Sequence, residues 1–385
     1  MHLDKGLGVF LTLLDLPAAF DTVDHAILLD FMKNQLGVTG VALQWFGSYL
    51  SERTQRVSID AVSSEHKSLL YGVPQGSVLG PIIFCVYTLP LGRIIQSHGI
   101  AYHIYADDTQ LLQPFNISDP SPALHKLEHC ISDIRKWMIE NQLKINDDKT
   151  ELIRITSKPK KQCASDCSIQ IGHCTVTPSP SARNLGVIFD STMSMDAHIS
   201  QTCRSIHGHL RGIGSIRHLL STEATEQLVH ALISSRLDYC NVLLCGLPDL
   251  KLQRLQRSQN CAARIVSRCR KRDHITPILC GLHWLPIRQR IIFKLLLITF
   301  KTINGNSPKY LQHLISLYQP TRTLRSADQF LLTVPPTRLK SCGERSFPYA
   351  AAMAWNTLPL SIRTSPSVQT FKSSLKTHLF KQAFN

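Results

Sequence analysis

The sequence predicts an α+β protein: a first half folded as a split β-α-β, ferredoxin-like sheet, then a mainly helical segment, then a basic C-terminal region. Three observations predict it. Short apolar runs alternate with apolar residues at helical spacing through about the first half, the pattern turns mainly helical from Met195, and positive charge collects in the last third.

Val9–Leu14 is a continuous apolar run of buried-strand length, and Val23, Ile27 and Phe31 then recur at i, i+4 and i+8 until Gly37 stops the helix. Gln55–Val62 and Lys67–Val73 read as two short strands, and Ser77–Gln96 as a buried helix broken near Pro90. Ala101–Gln113 reads as a hairpin with Asp107 and Asp108 at its tip. Leu124, Leu127, Ile131, Ile134 and Trp137 keep helical spacing, and Glu151–Thr156 returns to a strand pattern. Two strands, each paired with a crossover helix around a central hairpin, make a split β-α-β sheet with helices on one face. Farther on, Glu223–Leu244 and Leu250–Arg268 are the clearest helices, and after Lys309 Pro, Ser and Thr are enriched and periodicity is poor. The expected domains are 1–190, 191–275 and 276–385.

A chain of 385 residues exceeds the ~250 at which a single core stops growing, so two or three domains are expected. With 43% hydrophobic and 18% charged residues the composition is globular, not disordered. The net charge of +15 is uneven: residues 1–249 carry 20 Lys/Arg against 24 Asp/Glu, and residues 250–385 carry 22 against 3. Such a basic segment suits a polyanionic partner, since each phosphate it neutralises releases a counterion. Charge alone does not choose between nucleic acid, an anionic membrane surface and no specific partner. The 12 cysteines are scattered, and the apolar run Gly8–Leu14 is short and bracketed by Asp4 and Asp15, unlike a secretory leader; the thiols read as reduced and intracellular. Ile291–Phe300, the strongest apolar block, contains Lys294 and falls far short of the ~20 residues of a membrane helix. Neither secretion nor a membrane span is expected.

Leu14 leads into Asp15 at the end of one predicted strand, and Tyr105-Ala106-Asp107-Asp108 forms the turn of a predicted hairpin. Taken singly, each Asp reads as a turn residue satisfied by backbone amides. On neighbouring strands, however, Asp15 and Asp107 face the same end of the sheet with Asp108 beside them, and adjacent buried acids repel unless a cation compensates them. Carboxylates at strand ends suit Mg²⁺, which prefers oxygen ligands and keeps several waters. Transfer of a nucleotidyl group to a 3′-hydroxyl uses two such ions ~3.5–4 Å apart.

The segments LLDLPAAFDTVDHAILL, GVPQGSVLGPIIF, YADDTQLL and INDDKTELI stand in the order and spacing of the palm boxes of reverse transcriptases. They most resemble those of non-LTR (LINE-type) retrotransposons. The resemblance continues through ARNLGVIFD, SSRLDYCN, HITPILCGLHWLPIRQRIIFK and AMAWNTLPLSIR, and so covers nearly the whole chain. It implies a right-hand polymerase palm with a remnant of fingers and a primer grip over 1–190, a helical thumb over 191–275 and a basic region over 276–385. It also implies an RNA-directed DNA polymerase acting on an RNA template, a DNA primer and deoxynucleoside triphosphates, with two Mg²⁺ ions for which Mn²⁺ is a substitute.

Residue by residue, Asp15, Asp107 and Asp108 match the family's metal-binding carboxylates. Phe20 matches the bulky residue that excludes a ribose 2′-hydroxyl; its other reading is a core aromatic behind Asp15. Gly72, Pro74, Gln75, Gly76 and Ser77 match the loop and helix start that support the nascent base pair and template, where glycines permit close backbone approach. Lys149 matches a lysine near the triphosphate that neutralises departing pyrophosphate, although a lone lysine is otherwise simply solvated. Asn184-Leu185-Gly186-Val187 falls at the primer grip. Arg254, Arg257, Arg264 and Arg268, with Arg270, Lys271 and Arg272, are candidate phosphate contacts. Arg268–Arg272 also reads as a nuclear-localisation patch, so nucleus and cytoplasm both stay open. Cys163, Cys167, His173 and Cys174 are rejected as a zinc site, because the spacing is not a standard one and adjacent His-Cys ligands strain a tetrahedron. Trp284 and Trp355, each followed by a Leu-Pro turn, read as packing anchors rather than platforms for bases.

The family's polymerase begins well upstream of its first aspartate box, with fingers that grip the triphosphate, and an endonuclease usually precedes it. Only 14 residues precede Asp15 here, and Pro17 stands where a small hydroxyl residue is commoner. The expectation is a chain truncated at its N-terminus, for which two readings stand: an RNA-directed DNA polymerase, or a catalytically silent RNA- or DNA-binding retrotransposon fragment. Phe20 argues against a third, an RNA-templated RNA polymerase.

Overall fold

The computed structural model describes residues 2–16, 20–74, 76–157, 167–319 and 329–384. The chain divides into two compact units, one running from Leu7 to Ala182 and the other from Arg183 onward with Leu3–Gly6 joined to it. Residues 191–275 and 276–385 thus fall within the same unit rather than in two.

The first unit is built on a four-stranded sheet. In chain order come β1 (Gly8–Leu14), α1 (His25–Leu36), α2 (Gly40–Leu50) and four two-residue strands, β2 (Thr54–Gln55), β3 (Ser58–Ile59), β4 (Val62–Ser63) and β5 (Lys67–Ser68). Then follow α3 (Gly80–Tyr87), α4 (Leu89–Ser97), β6 (Ala101–Tyr105), β7 (Asp108–Phe115), α5 (Ser121–Glu140), β8 (Glu151–Ile155), β9 (Ile169–Ile171) and β10 (Cys174–Val176). The main sheet has the order β6-β7-β1-β8. Every neighbouring pair in it is antiparallel. The parallel strands β1 and β6 are therefore split by β7, and β7 and β8 by β1, which is the split β-α-β topology the sequence predicts.

One apolar core unites the sheet with its helices. Phe10 and Leu14 of β1, Leu111 and Phe115 of β7 and Leu152 of β8 pack with Leu28 and Met32 of α1, Phe84 of α3, Leu91 of α4 and Leu127 and Ile134 of α5. Each such side chain, fully buried, contributes about 1.5–3 kcal/mol relative to exposure. β7 alternates half-buried and buried residues along its whole length. Gly8 is required where it stands: opposite it lies Phe115, whose ring would be 2.2 Å from an added Cβ. That ring stacks on Phe10 at 4.1 Å.

Two readings of local structure are corrected. The segment read as one strand, Gln55–Val62, folds back on itself through β3 and β4, and β2 pairs with β5; all four are exposed. The helix read over Ser77–Gln96 as broken near Pro90 is α3 and α4, which meet at Thr88, with Pro90 in the first turn of α4, where a proline sacrifices no hydrogen bond. α1 turns Leu28 and Met32 to the core and leaves Ile27 and Phe31 half-buried.

The second unit opens with β11 (Ser181–Asn184), which starts at the border, and β12 (Val187–Asp190). Helices α6 (Asp196–Ile216), α7 (Thr222–Val229), α8 (Ser235–Asp238), α9 (Asp249–Ser267), α10 (Ile275–Gly281) and α11 (Ile287–Ile303) follow. α12 (Lys309–Gln312), α13 (Phe347–Asn356), α14 (Leu360–Arg363) and α15 (Val368–Phe384) complete it. α6 and α9 run in the same direction: Lys251 meets Asp196, Arg254 meets Ser200 and Ser258 meets His207. At their C-terminal ends the nearly buried Arg217 donates to the carbonyls of Ile265, Val266 and Leu220 at 2.8–2.9 Å, satisfying acceptors that α9 leaves open. The segment read as one helix over Glu223–Leu244 is interrupted by a π-helical turn at His230–Ser234 and broken at Cys240, whose φ is +49°. Trp284 and Trp355 are 5% and 1% exposed, packed as anchors, and the Trp355 indole donates to the Phe330 carbonyl at 2.8 Å. Among the described residues no helix is long and apolar enough to cross a membrane.

Candidate active site

β1 ends at Leu14, which is buried, and the next residue is Asp15. Leu14 pairs with Thr109 of β7, so continuing that register by one residue sets Asp15 opposite Asp108. On the other side Leu13 pairs with Glu151 of β8, and continuing that register by two residues brings Asp15 level with Lys149. β6 and β7 are joined by only two residues, Ala106 and Asp107, because Tyr105 pairs directly with Asp108. Ala106 adopts φ +54°, a conformation costly for an L-residue and characteristic of strained functional turns. The chain reverses there so tightly that Asp107 occupies the tip and Asp108 the first position of the strand.

Asp15, Asp107 and Asp108 therefore share one end of the sheet, each half-buried. Burial pushes the Asp108 carboxyl above the ordinary range, and the negative charges of Asp107 and Asp15 push it further. Asp15 is held on its other side: Asn146 donates its side-chain amide to the carboxylate at 3.3 Å and its backbone N–H to the Asp15 carbonyl at 2.9 Å. Lys149 Nζ lies 3.5 Å from Asp15 Oδ2. Among the described residues no three His, Cys, Asp or Glu side chains are drawn together tightly enough to form a ready-made metal-ligand group. The trio suits a hard divalent cation by its all-oxygen donors and by the mutual repulsion a cation would relieve.

The remaining predicted residues of this unit surround that end. Phe20 is half-buried, its ring 4.9 Å from Phe84 and tilted by 38°, and its carbonyl accepts from Val73 N–H at 2.8 Å. Gly72 donates its N–H to the Val23 carbonyl and accepts from the His25 imidazole at 2.7 Å. Its φ is +88°, and an added Cβ would come within 3.0 Å of the Asp21 Cα and carbonyl oxygen. The close approach that Gly72 permits is thus to the backbone of the segment following Asp15. Gly76 also has positive φ, +81°, but among the described residues nothing stands within 4 Å of where its Cβ would be. Ser77 Oγ accepts from Gly80 N–H at 3.0 Å and so satisfies the first backbone donor of α3. Gln75 lies outside the described residues, as do Pro17 and Cys163.

Beside Gly72 and Pro74 opens a cleft of about 920 Å³, lined also by Asp21, His25, Glu52 and Arg53. Arg53 is fixed there by its donation to the Tyr49 carbonyl and by the Tyr49 ring 4.6 Å beneath its guanidinium. Reading the sequence singled out neither Arg53 nor Asn146. Asn146 stands inside the INDDK segment, and its place just before the strand paired with β1 was the available signal; Arg53 offered none.

In the second unit, Leu185 and Gly186 form the tip of the β11–β12 hairpin with φ of +45° and +80°. The Tyr239 hydroxyl donates to the Leu185 carbonyl at 2.6 Å, and its ring lies against Gly186. Arg254, Arg257 and Arg268 are exposed along α9 and its end, whereas Arg264 is half-buried. Arg254 donates to Ser200 at 2.9 Å, and Arg264 and Arg268 reach the carbonyls of Asp273 and of Arg217 and Leu220.

An antiparallel split β-α-β sheet with helices on one face and acidic residues gathered at one end defines an α+β fold of the polymerase-palm class. Residues 3–189 match the family described as reverse transcriptase (RNA-dependent DNA polymerase). The chain is 28% identical over 227 residues to the probable RNA-directed DNA polymerase from transposon BS of Drosophila melanogaster, a match covering 56% of this chain and 23% of that protein. It is 26% identical over 202 residues to the RNA-directed DNA polymerase from mobile element jockey of the same organism, covering 51% and 21%. A solved structure of telomerase from Candida tropicalis in complex with the TWJ fragment of telomeric RNA aligns at 14% identity and a TM-score of 0.32, covering 72% of this chain and 49% of that one, a likeness too low to argue from. The chain spans under a quarter of the length of these curated relatives. Its residues 3–189 are a reverse transcriptase domain, homologous to those of the RNA-directed DNA polymerases of Drosophila non-LTR retrotransposons.

Proposed function

We propose that this chain is an RNA-directed DNA polymerase of a LINE-type retrotransposon, extending a DNA primer on an RNA template with deoxynucleoside triphosphates. The observation that carries the reading is the register that sets Asp15 opposite Asp108, with Asp107 at the adjoining turn. Asp107 and Asp15 raise the energy of the ionised Asp108 carboxylate, an arrangement a purely structural turn has no need of.

Asp15, Asp107 and Asp108 would hold two Mg²⁺ ions, or Mn²⁺ in their place, which supply activation of the attacking 3′-oxygen and charge stabilisation on the leaving phosphates. The remaining work belongs to the chain's own side chains. Asn146 fixes the Asp15 carboxylate by a direct hydrogen bond, so that Asp15 keeps one orientation. Lys149, already beside Asp15, carries a positive charge that can turn to a departing pyrophosphate; its side chain is 69% exposed and free to swing. Phe20 sits on the segment after Asp15 with its ring braced by Phe84, where a rigid bulky group would reject a 2′-hydroxyl and select deoxynucleotides. Gly72, Pro74, Gln75, Gly76 and Ser77 would form the support for template and incoming base, Gln75 by resemblance alone. Arg53 would add a charge for phosphate in the adjoining cleft. In the second unit, the hairpin tip at Leu185 and Gly186, braced by Tyr239, serves as primer grip. Arg254, Arg257, Arg264 and Arg268 contact backbone phosphates, which suits an enzyme that must copy any sequence.

Primer extension on an RNA template with the purified chain tests this reading. Incorporation that requires Mg²⁺ or Mn²⁺ and is lost in Asp108→Asn supports it. Salt-sensitive RNA binding with no incorporation under any divalent ion, or incorporation unaltered by Asp108→Asn, refutes it.

A further inference from the structure

Asn146 and Lys149, whose side chains both meet Asp15, stand on one short turn. The chain makes a single 3₁₀ turn over Asp147–Lys149, closed by Lys149 N–H on the Asn146 carbonyl and by Thr150 N–H on the Asp147 carbonyl, each at 3.2 Å. The buried Thr150 returns its hydroxyl to the Asn146 carbonyl at 3.0 Å. In a 3₁₀ turn side chains three apart lie one above the other. That spacing turns Asn146 and Lys149 alike toward Asp15 and leaves the intervening Asp147 free to face elsewhere.

The Asp147 carboxylate is taken by the guanidinium of Arg135, on α5, in a hydrogen-bonded ion pair. These two side chains are 27% and 21% exposed, against 69% and 30% for Lys149 and Asp15, so the Arg135 pair is the less screened by water and salt. Arg135 is itself held firmly. α5 buries a face running from Ala123 to Met138 in the core of the first unit. The turn between β9 and β10 closes on the guanidinium: at Gly172, where φ is +60°, an added Cβ would lie 2.9 Å from its carbon and from both terminal nitrogens.

The contacts on Asp15 are the looser end of this arrangement. Lys149 is held there by charge across 3.5 Å, and the Asn146 amide donates at 3.3 Å, a bond that a shift of about 0.3 Å would break. Where both groups sit therefore depends on where the turn sits. Asp147 and Asp148 also directly precede Lys149, and pairing Asp147 with Arg135 leaves the lysine one competing carboxylate fewer.

We infer that Arg135 is a positioning residue for nucleotidyl transfer. By holding Asp147 against α5 it fixes the turn from which Asn146 orients Asp15 and Lys149 reaches the departing pyrophosphate. The inference rests on the reading of Asp15 and Lys149 as parts of a polymerase site. Arg135 acts on that site through the turn and not by touching substrate or metal.

Two measurements on the full chain test it. In primer extension on an RNA template, Arg135→Gln and Asp147→Asn should each lower kcat about tenfold with little change in the KM for deoxynucleoside triphosphate, as losing an outer partner of a metal site does. Arg135→Lys, which keeps the charge, should recover part of that loss. In a Lys149→Gln background Arg135→Gln should cost less than about threefold more, since both act through one turn. Glu128→Ala removes the acceptor of the Gln170 N–H at 2.9 Å, loosening β9 from α5 without touching the turn, and should leave kcat within about twofold. The second measurement is amide exchange followed by nuclear magnetic resonance: the Asn146 N–H, bonded to the Asp15 carbonyl, should exchange about tenfold faster in Arg135→Gln while the amides of α5 are unaltered. Unaltered Asn146 exchange, equal losses of kcat in Arg135→Gln and Glu128→Ala, or full additivity with Lys149→Gln would each overturn the inference. A parent chain that extends no primer would overturn the polymerase reading instead, and Asn146 exchange would then decide alone whether Arg135 holds the turn.

Discussion

Gly72→Ala should destabilise the first unit far more than the same change at Gly76, four residues away. Both glycines have φ in the region L-residues avoid, +88° and +81°, so each alanine carries a backbone penalty of about 1–3 kcal/mol. They differ in what the new methyl meets. Among the described residues nothing lies within 4 Å at Gly76, whereas at Gly72 the Cβ would lie 3.0 Å from the Asp21 Cα and carbonyl oxygen, backbone atoms that cannot rotate away. Relieving that contact means separating the Phe20–Asp24 segment from the Gly72–Val73 segment, which loosens the bonds from Val73 N–H to Phe20 and from Gly72 N–H to Val23, each 2.8 Å long. Two such bonds contribute about 0.5–1.5 kcal/mol each. Gly72→Ala is thus expected to cost about 2–6 kcal/mol and Gly76→Ala about 1–3 kcal/mol. For a unit of this size, each kcal/mol lowers Tm by about 2–4 °C. Differential scanning calorimetry of both variants reads the difference. Equal shifts would refute the claim that Gly72 is set by the Asp21 backbone, and with it the link between the glycine loop and the segment that follows Asp15.

Asp108 gives a pH prediction. Its folded-state carboxyl titrates above the ordinary range, so the native state holds the proton longer than the unfolded one and stability falls as pH rises through the interval between the two. Without divalent ions, Asp108→Asn should therefore melt at higher temperature than the parent at pH 7, by up to about 1 kcal/mol of stability for a partly exposed cluster, and the gap should close near pH 3. A constant gap across that range would count against charge repulsion as the cause. Tyr239→Phe removes the 2.6 Å bond to the Leu185 carbonyl and should cost about 1 kcal/mol of stability while lowering primer extension more than RNA binding. If extension and binding fall together, the hairpin tip does not position a primer.

Much of the first unit was legible because its signals are local. The period-2 run of β7, the 3.6-period face of α5 and the aspartates beside Leu14 and Tyr105 each report their own surroundings. α5 buries Leu124, Leu127, Ile131 and Ile134 as read, adds Ala123 and Cys130, and buries Met138 in place of Trp137 at its end. Hidden features depend on distant partners. α2 exposes Val41 and Trp45 and buries only Leu50, so no apolar stripe marks it. α15 was not read although its buried Phe371, Leu375 and Leu379 recur at i, i+4 and i+8, because the Ser, Thr and Lys residues between them give the span the composition of a loop. The break at Cys240 has no proline or glycine to announce it. At the site, the alignment of Asp15 with Asp108 follows from strand order, which the split β-α-β pattern supplied. The bracing of Asp15 by Asn146 arises from 131 residues away in sequence, and the dependence of Gly72 on Asp21 is a packing fact.

Whether Asp15, Asp107 and Asp108 act as one cation-holding group is read out by Mn²⁺ binding to the full chain, followed by electron paramagnetic resonance. Saturable Mn²⁺ uptake is expected, which Mg²⁺ competes away and which Asp15→Asn, Asp107→Asn and Asp108→Asn each weaken by at least about tenfold, since even outer-sphere partners of a metal cost that much. Uptake unchanged by all three substitutions would contradict a shared site.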